Sequence, residues 1–409
     1  MAFDLVLRNA RFASTDGLLD IGMCDGRIAA MARLLPEGSV EENLDGNLVL
    51  PGLVDTHIHL DKSCLMDRCR IVEGTLQEAI AETARAKAQF TEEDIDARAR
   101  RTLEKAVLAG TQYMRTHVEV DPRVGLKSFH VLQRLAREYT WAIDLQICVF
   151  PQEGLTNDPG TKELLIAACE QGADLIGGCP YTDTHPAEHI ARVFAIARRF
   201  DLDIDFHLDF DLDPSWMHLD EVVRQTEAHR YGGRVAAGHV TKLSAVPPQV
   251  QADIARRLAA AGIAITVLPA TDLFLMGRDA GHNVPRGVAR ADRFLQDRVT
   301  CSLATNNVLN PFTPFGDASL IRIANLYANI AQTGTPADLI RCLDMITGAA
   351  ARLMRIEDYA IGVGKPANLV VWPCTTGQSA IAEIARPLLG IKNGRRSFTN
   401  MPGRLLRPV

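Results

Sequence analysis

The chain has 409 residues, 47% of them hydrophobic and 23% charged, with a formal net charge of −6. These are globular proportions; they exclude a disordered chain, and the interspersed charges exclude the basic footprint of a nucleic-acid binder. The length exceeds one ordinary domain, and a (β/α)8 barrel of about 250 residues would leave room for a small second one.

The first fifty residues read as β structure. FDLVLRNARF, DIGMCDGRIAAMA and GNLVLPG are short strand-like runs, broken by turn signals at Asp16-Gly17, Asp25-Gly26 and Asp45-Gly46. From about residue 52 to 357, apolar runs alternate with amphipathic helical stretches such as TLQEAIAETARAKAQ, ELLIAACEQG and EHIARVFAIARRF. In order the runs are LVDTHIHLD, TQYMRTHVEVD, WAIDLQICVFPQ, ADLIGGCP, LDIDFHLDF, GRVAAGHVTK, IAITVLPATD and VTCSLATNN. Apolar strands alternating with helices imply a parallel sheet covered on its outer face. Eight such units predict closure into a TIM-like barrel, and no Gly-rich phosphate loop follows the first run to support an open nucleotide-binding sheet. The last fifty residues are β-like again, in ANLVVWP and in PLLGIKNGRRSF with a turn at Asn393-Gly394. The predicted architecture is therefore α/β: a barrel over 52–357, and a small β-sandwich built from both termini, 1–51 plus 358–409.

Nine cysteines stand at irregular spacings without a CxxC pair, several in apolar runs, as Cys148 and Cys301 do. They read as small buried hydrophobes in a reducing compartment. The N-terminal strand lacks the organisation of a signal peptide, and no run of about 18 apolar residues offers a membrane span. A soluble, cytoplasmic protein without membrane or nucleic-acid partners is expected.

In barrels of this kind chemistry collects where the strands end and the βα loops converge. The first run ends in His57, His59 and Asp61, the second in His117, Glu119 and Asp121, and the third in Gln152 and Glu153. The fifth ends in His207, Asp209 and Asp211, the sixth in His239, and the eighth in Asn306 and Asn307. His57 and His59, two apart on a strand, point to one face. A lone strand histidine is more often a hydrogen-bonded core residue. Two on one face, with others at neighbouring strand ends, favour a metal site, and neutral imidazole suits zinc or iron. His185, His189, His218, His229 and His282 fall in helices or loops and read as surface or packing residues.

The motifs PGLVDTHIHLDKS, MRTHVEVD, FPQEG, GADLIGG, DIDFHLD, GRVAAGHVT, NPFTPFGD and GVGKPANLVV occur in this order along nearly the whole chain. In them the chain resembles the cytosine deaminase-like branch of the amidohydrolase superfamily, including its s-triazine-degrading members. That resemblance implies one divalent metal ion, zinc or iron, held by His57, His59 and His207 together with the residue ending the eighth strand. It also implies that His239 contacts the attacking water or the substrate, and that Gln152 hydrogen-bonds the amide edge of a ring. Binuclear relatives use a carboxylated lysine at the end of strand four; here Gly178, Cys179 and Pro180 stand there, so a single ion is expected. A homo-oligomer is plausible on the same resemblance.

Two positions depart from the family pattern. The strand-eight aspartate, ligand and proton shuttle, aligns with Asn306, whose neutral amide can reach a metal but accepts no water proton. The general-acid glutamate of cytosine deaminases aligns with Phe210, which would instead wall the pocket for a flat or partly apolar substrate. Proton transfer from a placed group is worth about 10²–10⁴ in rate, so another base is needed. Asp209 is the first candidate, with Asp61 and His239 behind it; Asp209 serves equally as a carboxylate orienting a ligand histidine. The expected activity is hydrolysis of a C–N bond in a small cyclic amide or amidine such as a pyrimidine, triazine or pterin, with catalytic His239, Asp209 and Asn306 and substrate-binding Gln152, Phe210 and Asn307. Asn306 leaves two rival readings: an engineered substitution that traps a ligand, and a silent heterocycle-binding protein. The segments KSCLMDRCRIVEG, DLDPSWMHL and LFLMGRDAGHNVPRG are the expected pocket lining, with Trp216, Phe274 and Arg278 as single candidate contacts.

Overall fold

The computed structural model describes residues 2–13, 17–403 and 405–406. The terminal sheet takes β1 (Leu5–Arg11), β2 (Leu18–Cys24), β3 (Arg27–Ala32), β4 (Glu41–Asn43) and β5 (Leu48–Pro51) from the start of the chain. The barrel strands follow: β6 (Leu53–Ile58), β7 (Thr111–Glu119), β8 (Asp144–Phe150), β9 (Leu175–Gly178), β10 (Asp203–Leu208), β11 (Val235–His239), β12 (Ile263–Val267) and β13 (Cys301–Leu303). The end of the chain returns to the terminal sheet with β14 (Leu369–Trp372), β15 (Leu389–Lys392) and β16 (Arg395–Thr399).

The terminal strands form one ladder in the order β16-β15-β14-β5-β1-β2-β3, with β4 parallel to β1. Tight turns set its register. Asp25-Gly26 and Asn393-Gly394 are two-residue hairpin loops with positive φ at both residues, 50° and 77°, and 49° and 72°. Asn or Asp followed by Gly adopts that conformation at little cost. Asp45-Gly46 turns the same way, whereas Asp16 of the expected first turn lies outside the described residues. The sheet curls on itself: the Ile28 N–H donates to Lys365 O and the Ala367 N–H to Gly26 O. Leu7, Ile21, Ile28, Val49, Leu369 and Ile391 thereby share one core.

The eight expected runs all form strands, ordered β6 to β13 in sequence and parallel throughout. The ring closes where β13 meets β6. There the Asn306 N–H donates to His57 O at 2.8 Å and the His59 N–H to Asn306 O at 2.9 Å. Every residue of β6, β7, β9 and β11 is buried, as strands covered by helices outside and by side chains inside must be. All nine cysteines are free thiols, seven of them buried, in keeping with the reading as small hydrophobes. No helix among the described residues is long and apolar enough to cross a membrane.

Candidate active site

Alternation along β6 turns His57 inward, with His59 one step beyond the strand, and the loss of strand hydrogen bonds at the ends of β10 and β11 frees the loops there. At three of these ends the backbone passes through the left-handed region: Asp209 at φ 50°, His239 at 69° with Val240 at 46°, and Asn306 at 61°. Residues with side chains adopt it rarely, and its concentration at one end of the barrel marks where local geometry is held by the surroundings.

Three imidazoles converge there. His57 Nε2 lies 3.0 Å from His207 Nε2, which lies 3.1 Å from His59 Nε2. All three rings are buried, with at most 2% of their surface exposed. Burial first, then the neighbouring histidines and, for His59 and His207, the Lys62 ammonium, hold them well below the usual histidine range. They are therefore neutral, the form that ligates. His59 donates its Nδ1–H to His117 O at 3.2 Å, which leaves the Nε2 lone pair facing its two neighbours. A Zn–N bond of about 2.0–2.1 Å in tetrahedral geometry spaces ligand atoms by about 3.3 Å, close to the spacing found. The donor set fits a divalent ion.

His117 and Asp205 make a second group with His57, but it suits a metal poorly. The His117 ring stacks on His57 at 3.7 Å with 22° between planes. Ligand lone pairs lie in the ring plane, and two nearly parallel planes do not meet at a common ion. Arg115 already neutralises Asp205 at 2.8 Å.

Asn306 is buried, and neither its Oδ1 nor its Nδ2 has a protein partner among the described residues. An unpaired buried amide costs about 1–3 kcal/mol, so this side chain is kept for a group outside the chain. Asn307 is committed instead: its Oδ1 accepts from Asn310 Nδ2 at 2.7 Å.

Of the three base candidates, Asp209 is spent on architecture. Its Oδ1 accepts the His218 N–H at 2.8 Å and its Oδ2 the Leu219 N–H at 3.0 Å, anchoring the start of helix Leu219–His229. It does not bond His207, whose Nδ1 lacks a protein partner among the described residues. Asp61 Oδ2 accepts the Glu119 N–H at 3.0 Å, and burial followed by the Glu119 charge pushes its carboxyl up to about 6. His239 is different. It donates Nδ1–H to Asp272 Oδ1 at 2.7 Å, no group among the described residues bonds its Nε2, and its ring centroid lies 5.7 Å from that of His207.

Phe210 lies against His239, with 3.9 Å between ring centroids, and joins Ala79, Leu275, Met276 and Phe312 in an apolar cap. A cavity of about 300 Å³ beside it is lined by residues 75–77, 210–212, 275–280 and 285, so the second and third of the expected lining segments meet there. Arg278 lines that cavity and packs on the Phe274 ring at 4.6 Å. Trp216 stands elsewhere, beneath the Lys242 ammonium at 3.4 Å. Gln152 is already paired within the protein. Its Oε1 accepts from Lys62 Nζ at 3.2 Å and its Nε2 donates to Cys179 Sγ at 3.3 Å.

Sequence reasoning gave no role to Lys87 or Asp272, and placed Lys62 only within a segment expected to line the pocket. Glu119 accepts from Lys62 Nζ and Lys87 Nζ, each at 2.6 Å, and Lys87 also reaches Asp121 and Glu153 at 2.5 Å. Burial works to raise the Glu119 carboxyl, but the two ammonium groups hold it down to about 2. This buried network fixes the floor on which Gln152 stands. Its one legible sign was the polar endings of the second and third runs.

A family model described as the amidohydrolase family matches residues 40–138 and 132–398. The chain belongs to the amidohydrolase family. It is 30% identical over 404 residues to an N-isopropylammelide isopropyl amidohydrolase from Pseudomonas sp. (strain ADP), covering 96% of each chain. With a pterin deaminase from Rhizobium rhizogenes it shares 28% identity over 370 residues, 88% of this chain and 83% of the other. The crystal structure of a 5-methylcytosine deaminase from Klebsiella pneumoniae, liganded with 5-fluorocytosine, superposes with a TM-score of 0.93 at 28% identity, covering 98% of this chain and 99% of that one. For an amidohydrolase the converging histidines at the barrel mouth are the expected seat of chemistry.

Proposed function

We propose that this amidohydrolase cleaves a C–N bond of a small N-heterocycle, a pyrimidine, s-triazine or pterin, releasing ammonia or an amine. The observation that carries the reading is the convergence of three neutral imidazole Nε2 atoms, 3.0 and 3.1 Å apart, at the C-terminal mouth of the barrel. Relatives named for action on an alkylamino-triazine, a pterin and 5-methylcytosine support the substrate class.

His57, His59 and His207 would hold one divalent ion, zinc or iron, with Asn306 as a neutral fourth donor. Such an ion would supply Lewis acidity toward water. His239 acts as general base and then acid. Its Nε2 takes a proton from water as the O–C bond forms, and returns it to the leaving nitrogen as the C–N bond breaks. The balance is water plus the ring amine in, a ring hydroxyl or its carbonyl tautomer plus free amine out. Phe210 and its apolar neighbours exclude bulk water, and Gln152, steadied by Lys62, meets the amide edge of the ring. Asp209 holds the loop after β10. The ending of β9 at Gly178, Cys179 and Pro180 offers no lysine for a second ion.

We further read the chain as a soluble cytoplasmic protein divided at about residues 51 and 358, with a homo-oligomer as its working state. The test is ammonia and amine release by zinc- and iron-loaded protein across aminopyrimidines, amino- and alkylamino-triazines and pterins. Turnover of one class supports the reading. Tight binding without release from any would make the chain a heterocycle-binding homologue instead.

A further inference from the structure

Proton transfer at this site needs a base whose proton-accepting nitrogen is fixed, and neither Asn306 nor Asn307 carries a charge to help. The carboxylates around the histidines are mostly spent. Asp205 pairs with Arg115, Asp209 binds two backbone N–H groups, and Glu119 lies between Lys62 and Lys87. Asp272 is the one that bonds His239. It is fully buried in helix Pro269–Leu275, no cation pairs with it among the described residues, and its two oxygens have separate duties. Oδ1 accepts the His239 Nδ1–H at 2.7 Å, and Oδ2 accepts the Leu268 N–H at 3.3 Å.

We propose that Asp272 is the positioning residue that makes His239 the base, locking the proton on Nδ1 so that Nε2 presents its lone pair to the water. The claim rests on His239 carrying the proton in the reaction above. Because the Leu268 N–H donates to one oxygen and His239 to the other, only a carboxylate satisfies both donors. An amide at this position satisfies one and turns its NH₂ toward the other. With its oxygen held by Leu268, the NH₂ would donate to Nδ1 and move the imidazole proton to Nε2, where no lone pair is left for water. When His239 takes the proton, the buried anion 2.7 Å away balances the imidazolium it creates. No charge has to enter the site from outside.

The test compares wild type, Asp272→Asn, Asp272→Ala, His239→Gln and the Asp272→Asn/His239→Gln pair, all metal-loaded. Asp272→Asn is expected to lower kcat by about 10²–10⁴ while KM and metal content stay within about threefold. Added to His239→Gln, the same substitution should change kcat by less than about twofold, since residues acting as a unit are not additive. A multiplicative loss in the pair, or an unchanged kcat with only a lower Tm, overturns the proposal and leaves Asp272 as a helix anchor. The imidazole ¹⁵N shifts of histidine-labelled, zinc-loaded protein, with His239 assigned from His239→Gln, read the tautomer without any turnover. They should show Nδ1–H in wild type and Nε2–H in Asp272→Asn; Nε2–H in wild type overturns the proposal. If the wild type releases no amine from any heterocycle, the proposed function fails, and the ¹⁵N experiment still decides the role of Asp272.

Discussion

The Phe210 ring lies 3.9 Å from that of His239, tilted by 34°, so an apolar face stands where the cytosine deaminase pattern has a proton-donating glutamate. The contact shields His239 from bulk water and ties the loop after β10 to the Leu275–Met276 segment. Phe210→Ala is expected to destabilise the protein by about 3–5 kcal/mol, the usual cost of emptying a packed phenylalanine site, and to raise KM. Phe210→Leu, closer in volume, should cost less than about 1.5 kcal/mol. Thermal unfolding beside steady-state kinetics on the best heterocycle checks both.

Glu119 makes the site's floor pH-sensitive from one side only. Its folded carboxyl is held at about 2 against an ordinary 4.5, so its own contribution to stability is complete above about 4.5 and is lost as pH falls toward 2. Metal-free protein should show a falling Tm through that window. Glu119→Gln should flatten the fall and, by leaving two ammonium groups without their shared partner, cost about 3–5 kcal/mol at neutral pH.

Asn306 has an unpartnered amide at the seam of the barrel, where its backbone bonds both His57 and His59. Asn306→Asp places a buried carboxylate there. Without metal the charge is uncompensated, so the chelator-treated variant should melt below wild type. With zinc it becomes a charged donor, and zinc should bind at least about tenfold more tightly, roughly 1.4 kcal/mol. Competition with a chromophoric chelator and melting with and without metal measure the two effects.

The barrel was legible because each strand is a short apolar run, most of them ending in polar residues, and the two-residue turns because Asp-Gly and Asn-Gly favour the left-handed conformation that hairpins require. β4 was not: Glu41–Asn43 has no alternating apolar residues and exists because it pairs in parallel with β1. Strand ends pick out His57, His59, His117, His207 and His239, and the resemblance narrows them to three ligands. The partners of His239 and Lys62 could not be read this way, since Asp272 lies 33 residues beyond one and Glu119 57 beyond the other, brought close only by the pairing of neighbouring strands. The contacts of Asp209 were not legible for a related reason. Its spacing from His207 puts it at the right strand end, but the left-handed turn at φ 50° points its carboxylate to the His218 and Leu219 amides.

The most direct measurement is the metal content of purified protein beside that of His57→Ala and His207→Ala, taken on the samples assayed for amine release. One equivalent of zinc or iron per chain, lost together with activity in both variants, is the expected result. Metal retained in the variants, or no binding by native protein from zinc- and iron-supplemented buffer, would contradict the three-histidine site.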